Sequence, residues 1–233
     1  MEYTSSETYL DGAVLYIDKP LTWTSFDVVN KIRKSLRHYL GIQKIKVGHA
    51  GTLDPLATGL VIICTGKATK QIMQFQDMDK AYTAEVRLGA TTPSFDLETG
   101  IDFSYPWEHI TSDHIKQALS ELSGDQDQMP PIFSAKSVDG KRAYTMARKG
   151  KQVELKPQRV HISRLELLSE KLPEISLHVE CSKGTYIRSL ARDLGLKLNS
   201  GAHLSGLRRT RIGPYSIDQA ISVENFIENL KLL

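Results

Sequence analysis

The densest group of residues able to do chemistry surrounds one aspartate. Residues 48–59 read GHAGTLDPLATG, and the apolar run LVIIC follows at once. Glycine lets backbone approach a ligand closely, and proline restricts itself and the residue before it, here Asp54. A carboxylate on a rigid loop beside a buried strand can act on a substrate as nucleophile or base. A plain turn between two strands fits the same spacing, so the pattern alone leaves both interpretations open.

Further segments with chemically useful side chains lie along the chain. In order they are DKP at residues 18–20 with TS at 24–25, KAY at 80–82, PPIFSA at 130–135, KGTYIRSL at 183–190 and LRRT at 207–210. Together with the aspartate segment, they resemble the motifs of the TruB family, the tRNA pseudouridine synthases that modify the T-loop uridine at tRNA position 55. The matches keep the family's order from about residue 12 to about residue 220.

The resemblance implies an isomerase with three catalytic residues, Asp54, Tyr82 and Arg188. The reaction breaks the C–N glycosidic bond of uridine, turns the base and forms a C–C bond. It needs no redox step and loses no group, so we expect no cofactor and no metal. A free aspartate has a pKa near ~3.9, and burial would raise it unless a cation compensates. The family pattern makes Arg188 that cation, whereas a phosphate contact or a surface charge is the plain interpretation of the same residue.

The resemblance also implies residues that bind the substrate. A base inside a folded RNA loop must be flipped out before an enzyme can act on it. Tyr82 is then expected to stack on the freed base, His49 to lie where the base left, Tyr186 to close the pocket and Leu207 to form an apolar wall. Ordinary packing roles fit these residue types as well. Lys19 either contacts phosphate or braces the catalytic loop, and the sequence does not choose between the two.

Alternative functions require different subsets of these residues. A non-catalytic RNA-binding or tRNA-folding module needs the basic residues but not Asp54. A guide-RNA-dependent synthase of the dyskerin type shares the motifs but usually carries extra terminal segments. Synthases that act on ribosomal RNA typically show Arg-Leu-Asp where this chain has Thr-Leu-Asp. We therefore expect the tRNA T stem-loop as the partner, no guide RNA and a monomeric protein.

Composition narrows the class of protein further. The chain has 233 residues, of which 40% are hydrophobic and 24% charged, as in an ordinary globular protein. It shows no signal-peptide pattern and no apolar run long enough for a membrane span, so we expect a cytoplasmic protein. Cys64 and Cys181 lie in apolar runs, which predicts buried thiols in a reducing compartment. Neither the cysteines nor the seven histidines show metal-ligand spacing.

Charge is unevenly distributed, although the net charge is only +3. Residues 31–46 hold six Lys/Arg and no acid, residues 136–159 hold eight against two acids, and residues 183–211 hold seven against one. Residues 94–128, in contrast, hold eight acids and one lysine. Any single basic stretch could be an ordinary solvated surface. Three such stretches together favour a face that binds a polyanion, and RNA is the expected one.

The elements that position these residues follow a mixed pattern. Apolar alternation or short apolar runs predict strands at residues 12–18, 60–64, 82–88, 160–167 and 175–181. Thr24 and Asp27 predict a capped helix whose apolar face carries Phe26, Val29, Ile32 and Leu36. Ser112 and Ser222 are expected to cap two further helices, and another begins at Ile187. Short helices are expected at residues 68–75 and 142–149.

These elements predict an α+β fold with a mainly antiparallel sheet. The resemblance implies the pseudouridine synthase fold, in which a central sheet is flanked by helices and the active cleft crosses its middle. We expect one catalytic domain over residues 1–233, with residues 129–155 as an inserted thumb that grips RNA. Bacterial members commonly carry a C-terminal PUA module, and we expect none here. More of the RNA binding would then fall to residues 31–46 and 136–156.

Overall fold

The computed structural model describes residues 6–132, 137–138, 141–142 and 155–232. The chain divides into two compact units. The first unit contains Met1–Ala81 and Arg208–Leu233, and the second contains Tyr82–Leu207. The expectation of one catalytic domain stays a prediction.

Helices and strands alternate irregularly along the chain. The α-helices are α1 (Ser6–Gly12), α2 (Ser25–Tyr39), α3 (Ile72–Asp77), α4 (Ser112–Glu121), α5 (Ile187–Lys197) and α6 (Val223–Lys231). The strands are β1 (Val14–Lys19), β2 (Val47–Ala50), β3 (Ala57–Thr65), β4 (Lys80–Leu88), β5 (Ala90–Thr91), β6 (Phe103–Ser104), β7 (Gly124–Gln128), β8 (Ser137–Val138), β9 (Lys141–Arg142), β10 (Gln158–Lys171), β11 (Glu174–Cys181), β12 (Ala202–Ile212), β13 (Tyr215–Ser216) and β14 (Ile221–Ser222). Two 3₁₀ helices cover Gly66–Gln71 and Ile217–Gln219.

In the first unit, β3 is the central strand. It pairs antiparallel with β1, from Val14 opposite Cys64 to Lys19 opposite Gly59, and β2 also pairs with it. Strand β14 extends this sheet beside β1 in the parallel direction. Nearly every residue of β3 is buried, which is typical of a strand covered on both faces. The strand that follows the Asp54 loop is therefore among the most tightly enclosed parts of the unit.

Helix α2 begins at the predicted capping box. The Thr24 hydroxyl accepts a hydrogen bond from the Asp27 backbone N–H at 3.0 Å, and the Asp27 carboxylate accepts one from the Thr24 N–H at 2.9 Å. The apolar face of the helix was predicted incorrectly at one position. Val29 is buried with Val28, whereas the Phe26 side chain is 59% exposed. Because the buried side of the first turn is centred on residues 28 and 29, position 26 points to solvent.

In the second unit, β10 pairs antiparallel with both β11 and β7. The register between β10 and β11 shifts after Ile162 and after Leu167. Strand β4 alternates between buried and more exposed positions from Tyr82 onward, as predicted. Helices α4 and α5 bury their apolar faces, with Ile115 and Leu194 fully enclosed.

One helix cap differs from its prediction. The N-cap of α4 is Thr111, whose hydroxyl accepts a hydrogen bond from the His114 N–H at 3.3 Å. Ser112, the expected cap, instead donates its hydroxyl to Glu170 at 2.7 Å. Thr111 and Ser112 both have a hydroxyl that can cap a helix. Ser112 is engaged by Glu170 of β10, so Thr111 is the cap. Ser222 caps α6 as predicted, and its hydroxyl accepts from the Asn225 N–H at 3.1 Å.

The described residues confirm the predicted α+β class, with mostly antiparallel sheet flanked by helices. No described helix is long and apolar enough to cross a membrane. Cys64 and Cys181 are buried free thiols, and burial raises the pKa of Cys64 to about 11. Most of the expected thumb lies outside the described residues, and so does the predicted helix at residues 142–149 except for Arg142, which ends β9. Within the thumb the structure describes the short antiparallel pair β8 and β9.

Candidate active site

Asp54 lies in the tight connection between β2 and β3, in the first unit. Its backbone carbonyl accepts a hydrogen bond from the Ala57 N–H at 3.0 Å, which closes the turn. Gly51 has φ = +90°, a conformation that favours glycine. The Ser25 hydroxyl accepts from the Leu53 N–H at 2.8 Å and donates to the Leu53 carbonyl at 3.3 Å. The residue before Asp54 is thereby fixed to the start of α2.

Lys19 braces the other side of the turn. Its ammonium is fully buried and donates to the backbone carbonyls of Trp23 at 2.6 Å, Pro20 at 2.9 Å and Pro55 at 3.5 Å. The Pro55 carbonyl also accepts from the Thr22 N–H at 2.8 Å. Of the two roles that the sequence left open for Lys19, this geometry fits the brace, because a fully buried ammonium cannot reach a phosphate on the surface.

Burial sets the electrostatics of Lys19. Desolvation, the largest cause, and the positive charge of Arg209 together bring the pKa of the Lys19 ammonium from 10.5 down to about 8. The nearby Asp54 carboxylate acts in the opposite direction and raises the pKa of Lys19. Because the interaction of two charges is mutual, the Lys19 ammonium favours the ionised form of Asp54.

Arg209 is a loop-positioning residue that the sequence analysis missed. Its guanidinium is 2% exposed, and it donates from Nε to the Leu60 carbonyl at 2.7 Å and from Nη2 to the Gly51 carbonyl at 3.1 Å. Gly59 has φ = +106°, and a Cβ there would lie 2.3 Å from the Arg209 carbonyl oxygen. Arg209 thus ties β12 to both ends of the loop. Its place in the LRRT motif was the available signal.

The third basic stretch, residues 183–211, does not form an open cationic face as predicted. Arg188 and Arg209 are buried. Arg208 makes a two-pronged ion pair with Asp18, at 2.7 and 3.1 Å. Paired carboxylates also hold Arg192 and Lys197. The correction has a physical cause, since a count of cations along a sequence does not show which of them the fold turns inward.

His49 lies in β2, opposite Ile63 of β3. Its Nδ1 atom is buried, and no described residue hydrogen-bonds to it. Burial is the largest influence and lowers the pKa of His49, and the charge of Arg209 lowers it too, while the Gly51 backbone raises it. The imidazole is therefore neutral at pH 7. A buried ring nitrogen without a described partner is suited to contact a ligand.

The second unit holds the remaining predicted residues. Tyr82 is 8% exposed at the start of β4. Tyr186 precedes α5, and the buried Gln128 side chain holds its backbone on both sides: the Tyr186 N–H donates to Oε1 at 2.8 Å, and Nε2 donates to the Tyr186 carbonyl at 3.1 Å. Leu207 is half-buried in β12. A purely internal role for Leu207 does not fit that exposure.

Arg188 lies in the first turn of α5 and is 4% exposed, so it is not a surface charge. Its Nη1 atom lies 3.6 Å from Oδ2 of Asp96 and 3.4 Å from the Ser94 carbonyl. Asp96 is itself buried, and its Oδ1 accepts from the Glu98 N–H at 3.0 Å. The sequence analysis counted Asp96 only among the acids of residues 94–128. No neighbouring residue in the sequence indicated that Asp96 would pair with Arg188.

The structure therefore groups the predicted residues in two sets. Lys19, His49 and Asp54 lie together in the first unit, braced by Arg209. Tyr82, Tyr186, Leu207 and Arg188 belong to the second unit, where Asp96 holds Arg188. The described residues contain no group of three or more His, Cys, Asp or Glu side chains that could hold a metal ion. Carboxylate, imidazole, phenol and guanidinium groups supply acid–base and charge-stabilising chemistry.

Family models place this chain among the pseudouridylate synthases. Residues 37–187 match the N-terminal domain of the TruB family of pseudouridylate synthases, and residues 188–232 match the C-terminal domain of tRNA pseudouridylate synthase B. The chain belongs to the TruB family.

Similar proteins agree with this assignment. A tRNA pseudouridine synthase B from Phocaeicola vulgatus is 61% identical over 220 residues, which cover 94% of each chain. One from Parabacteroides distasonis is 56% identical over 223 residues, which cover 94% of this chain and 95% of that relative.

Solved structures show the same fold. A crystal structure of a Cbf5-Nop10-Gar1 complex contains a chain that is 28% identical, with a TM-score of 0.73 over 97% of this chain. A structure of an H/ACA RNP bound to a substrate RNA containing 2'-deoxyuridine gives 27% identity and a TM-score of 0.68 over 94% of this chain. This chain spans 56% and 53% of those two chains, about half of their length.

The pKa of Lys19 tests the coupling between Lys19 and Asp54. In ¹³C NMR titrations of labelled lysine side chains, Lys19 should lose its proton near pH 8, against roughly 10.4 for an ordinary exposed lysine. Asp54→Asn should lower that pKa further, because the negative charge that stabilises the ammonium is removed. Asp11→Asn, an exposed acid paired with Lys67, is the matched control and should leave Lys19 unchanged. An unchanged Lys19 titration in Asp54→Asn would show that the two charges do not interact.

Asp96→Asn tests the positioning of Arg188. The substitution keeps the shape of the side chain but removes the charge that holds the guanidinium, so the rate of pseudouridine formation at saturating tRNA should fall roughly tenfold to a hundredfold. The Kd for tRNA should change by no more than about twofold. Asp113→Asn, an exposed acid of the same unit, should retain wild-type rates. Thermal unfolding scans correct both rates for the folded fraction, and a wild-type rate in Asp96→Asn would contradict the assignment.

Proposed function

We propose that this protein isomerises uridine to pseudouridine in tRNA, with Asp54 as the essential carboxylate. One observation carries the proposal: in a chain of the TruB family, Ser25, Lys19 and Arg209 hold the Asp54 turn by donating hydrogen bonds to its backbone carbonyls. A turn fixed at these points presents its carboxylate in one direction. Relatives with the name tRNA pseudouridine synthase B, up to 61% identical, support tRNA as the substrate.

The chemistry follows from a carboxylate that is kept ionised. The target uridine leaves its stack and enters the site, at a cost of a few kcal/mol that binding must repay. Ionised Asp54 then assists cleavage of the C–N glycosidic bond, the base turns, and its C5 atom bonds to the sugar. The C5 proton leaves last. Lys19 favours the ionised carboxylate from within the first unit, and we infer that Arg188 pairs with it as the second cation.

The other predicted residues bind the substrate in this proposal. The Tyr82 ring stacks on the flipped base and can accept the proton that leaves at the end. His49, neutral and buried at Nδ1, faces the RNA where the base has left its stack. Tyr186 closes the pocket, with its backbone fixed by Gln128, and the half-buried Leu207 supplies an apolar wall. None of these roles requires a metal or a cofactor.

The RNA contacts would be concentrated on the first basic stretch. Along residues 31–46 the exposed cations are Lys31, Lys34, Arg37, Lys44 and Lys46. No acid interrupts the stretch. The target in this proposal is the T-loop uridine at position 55, modified by a monomer in the cytoplasm without a guide RNA.

A guided mechanism is the second candidate, because both solved structures above are assemblies of several components, a Cbf5-Nop10-Gar1 complex and an H/ACA RNP bound to a substrate RNA. Those chains are about twice as long as this one. The relatives of matching length bear the name tRNA pseudouridine synthase B. The higher identity to the relatives with that name, 61% and 56% against 28% and 27%, supports the guide-free reaction for this chain.

A reaction with purified components separates the two candidates. The protein alone, with a transcript of the T-arm hairpin and no other RNA, should convert the target uridine to pseudouridine. Carbodiimide mapping and mass spectrometry locate the product. A hairpin with cytidine at the target position is the control and should stay unmodified. Conversion that occurs only after a second RNA is added would favour the guided mechanism.

Asp54→Asn tests the essential carboxylate. The substitution is nearly isosteric and leaves the backbone bonds of the turn in place, so the variant should fold and bind tRNA. It should form no detectable pseudouridine, because an amide cannot act as the ionised group. Asp11→Asn, an exposed acid of the same unit, should retain full activity. Robust product formation by Asp54→Asn on a tRNA transcript would remove Asp54 from its role.

A further inference from the structure

Helix α2 exposes an aromatic ring beside the Asp54 turn. Phe26 is 59% exposed, although burial of such a ring would remove a large apolar surface from water. Its neighbour Ser25 bonds through its hydroxyl to the backbone of Leu53, the residue before Asp54. Leu21, 54% exposed, precedes Thr22, whose N–H donates to the Pro55 carbonyl. Apolar surface therefore flanks the turn at two points.

A row of polar and cationic side chains follows Phe26 along the same side of α2. Phe26, Asn30, Lys34 and Arg37 recur three or four residues apart, so they share one face of α2, here termed the α2 stripe. The stripe is about 16 Å long at the helical rise per residue. Lys34 and Arg37 are exposed, and neither forms an ion pair with a described residue.

Asp27, the acid next to Phe26 in the sequence, is hydrogen-bonded at the start of the helix. Asp27 follows Phe26, but its Oδ2 atom accepts from both the backbone N–H and the hydroxyl of Thr24, at 2.9 and 2.6 Å. These hydrogen bonds lower the pKa of Asp27, and the carboxylate caps the positive end of the helix. Its charge is thus partly balanced by the helix that it caps.

The far end of the stripe opens into a cationic cavity. The cavity has a volume of about 330 Å³. It is lined by Lys34, Arg37, His38, Gly41, Ile42 and Gln43. No carboxylate is among these side chains, so an anion that enters the cavity meets cations and the side-chain amide of Gln43. A phosphodiester group has the charge and the acceptor oxygens that such a lining binds.

We propose that the α2 stripe binds unpaired nucleotides of the tRNA substrate, next to the uridine that reaches Asp54. Phe26 stacks on a base, and Lys34 and Arg37 contact the phosphates that follow, one of them in the cavity. Aromatic rings combined with a cationic track are the usual means of holding single-stranded RNA. An unpaired segment is required, because a base within a duplex has no free face to offer the ring. The inference rests on the proposed function and adds a specific RNA contact to it.

Binding measurements on Phe26 variants test the stacking contact. With a fluorescently labelled T-arm hairpin, Phe26→Ala should raise Kd roughly tenfold, within the range found for loss of one stacked base. Phe26→Tyr should stay within about twofold of wild type, whereas Phe26→Leu, which keeps apolar area without a ring, should bind like Phe26→Ala. Met73→Ala, a 65% exposed apolar residue of α3, is the matched control and should bind like wild type. Thermal unfolding temperatures should agree for all variants, because both positions are exposed.

Salt dependence separates the ring from the cations. The double variant Lys34→Ala/Arg37→Ala should reduce the slope of log Kd against log salt by roughly 1.4 to 1.8, the value for two phosphate contacts. Phe26→Ala should leave that slope unchanged, since stacking releases no counterions. Binding by Phe26→Ala within twofold of wild type, or binding by Phe26→Leu equal to wild type, would overturn the proposal. If the wild-type protein makes no pseudouridine, the proposed function fails instead, and the Kd values still report on the stripe.

Discussion

Hydrogen bonds from two buried cations to backbone carbonyls hold the turn that presents Asp54. Lys19 and Arg209 enter the interior of the first unit, where an isolated charge is costly. Each donates to several backbone carbonyls, so hydrogen bonds to the backbone offset the cost of desolvating the cation. The same two charges shape the electrostatics around the carboxylate. Rigidity and charge at this turn therefore have a common origin.

In the second unit, a buried cation is held by an ion pair. Arg188 and Asp96 are both buried; Arg188 also donates to the Ser94 carbonyl, and Asp96 also accepts from the Glu98 N–H. A buried pair of this kind contributes little net stability, but it holds its members in one orientation. Arg188 is thereby presented as a fixed cation. In each unit, then, buried polar groups position the side chains to which the chemistry is assigned.

Local signals in the sequence were reliable where neighbouring residues decide the structure. The capping box at Thr24 and Asp27, the alternation of β4 and the start of α5 at Ile187 all follow from short-range geometry, and each is confirmed. Phe26 was assigned to the buried face of α2 but is exposed. A spacing of three or four residues shows which positions share a side of a helix, but it does not show which side packs against the core. The cap of α4 was shifted by one residue, because a contact with Glu170 engaged Ser112.

The sequence by itself determined the family, the order of the motifs and the turn around Asp54, because these are written in the types and spacing of nearby residues. Only the tertiary structure decided which cations are buried and what they hold. Arg209 and its acceptor at Leu60 are 149 positions apart, and Arg188 and Ser94 are 94 apart. Contacts over such separations depend on how strands and helices pack, and one sequence carries no direct record of that packing. The same packing turned Phe26 outward and buried Arg188 and Arg209 of the last basic stretch.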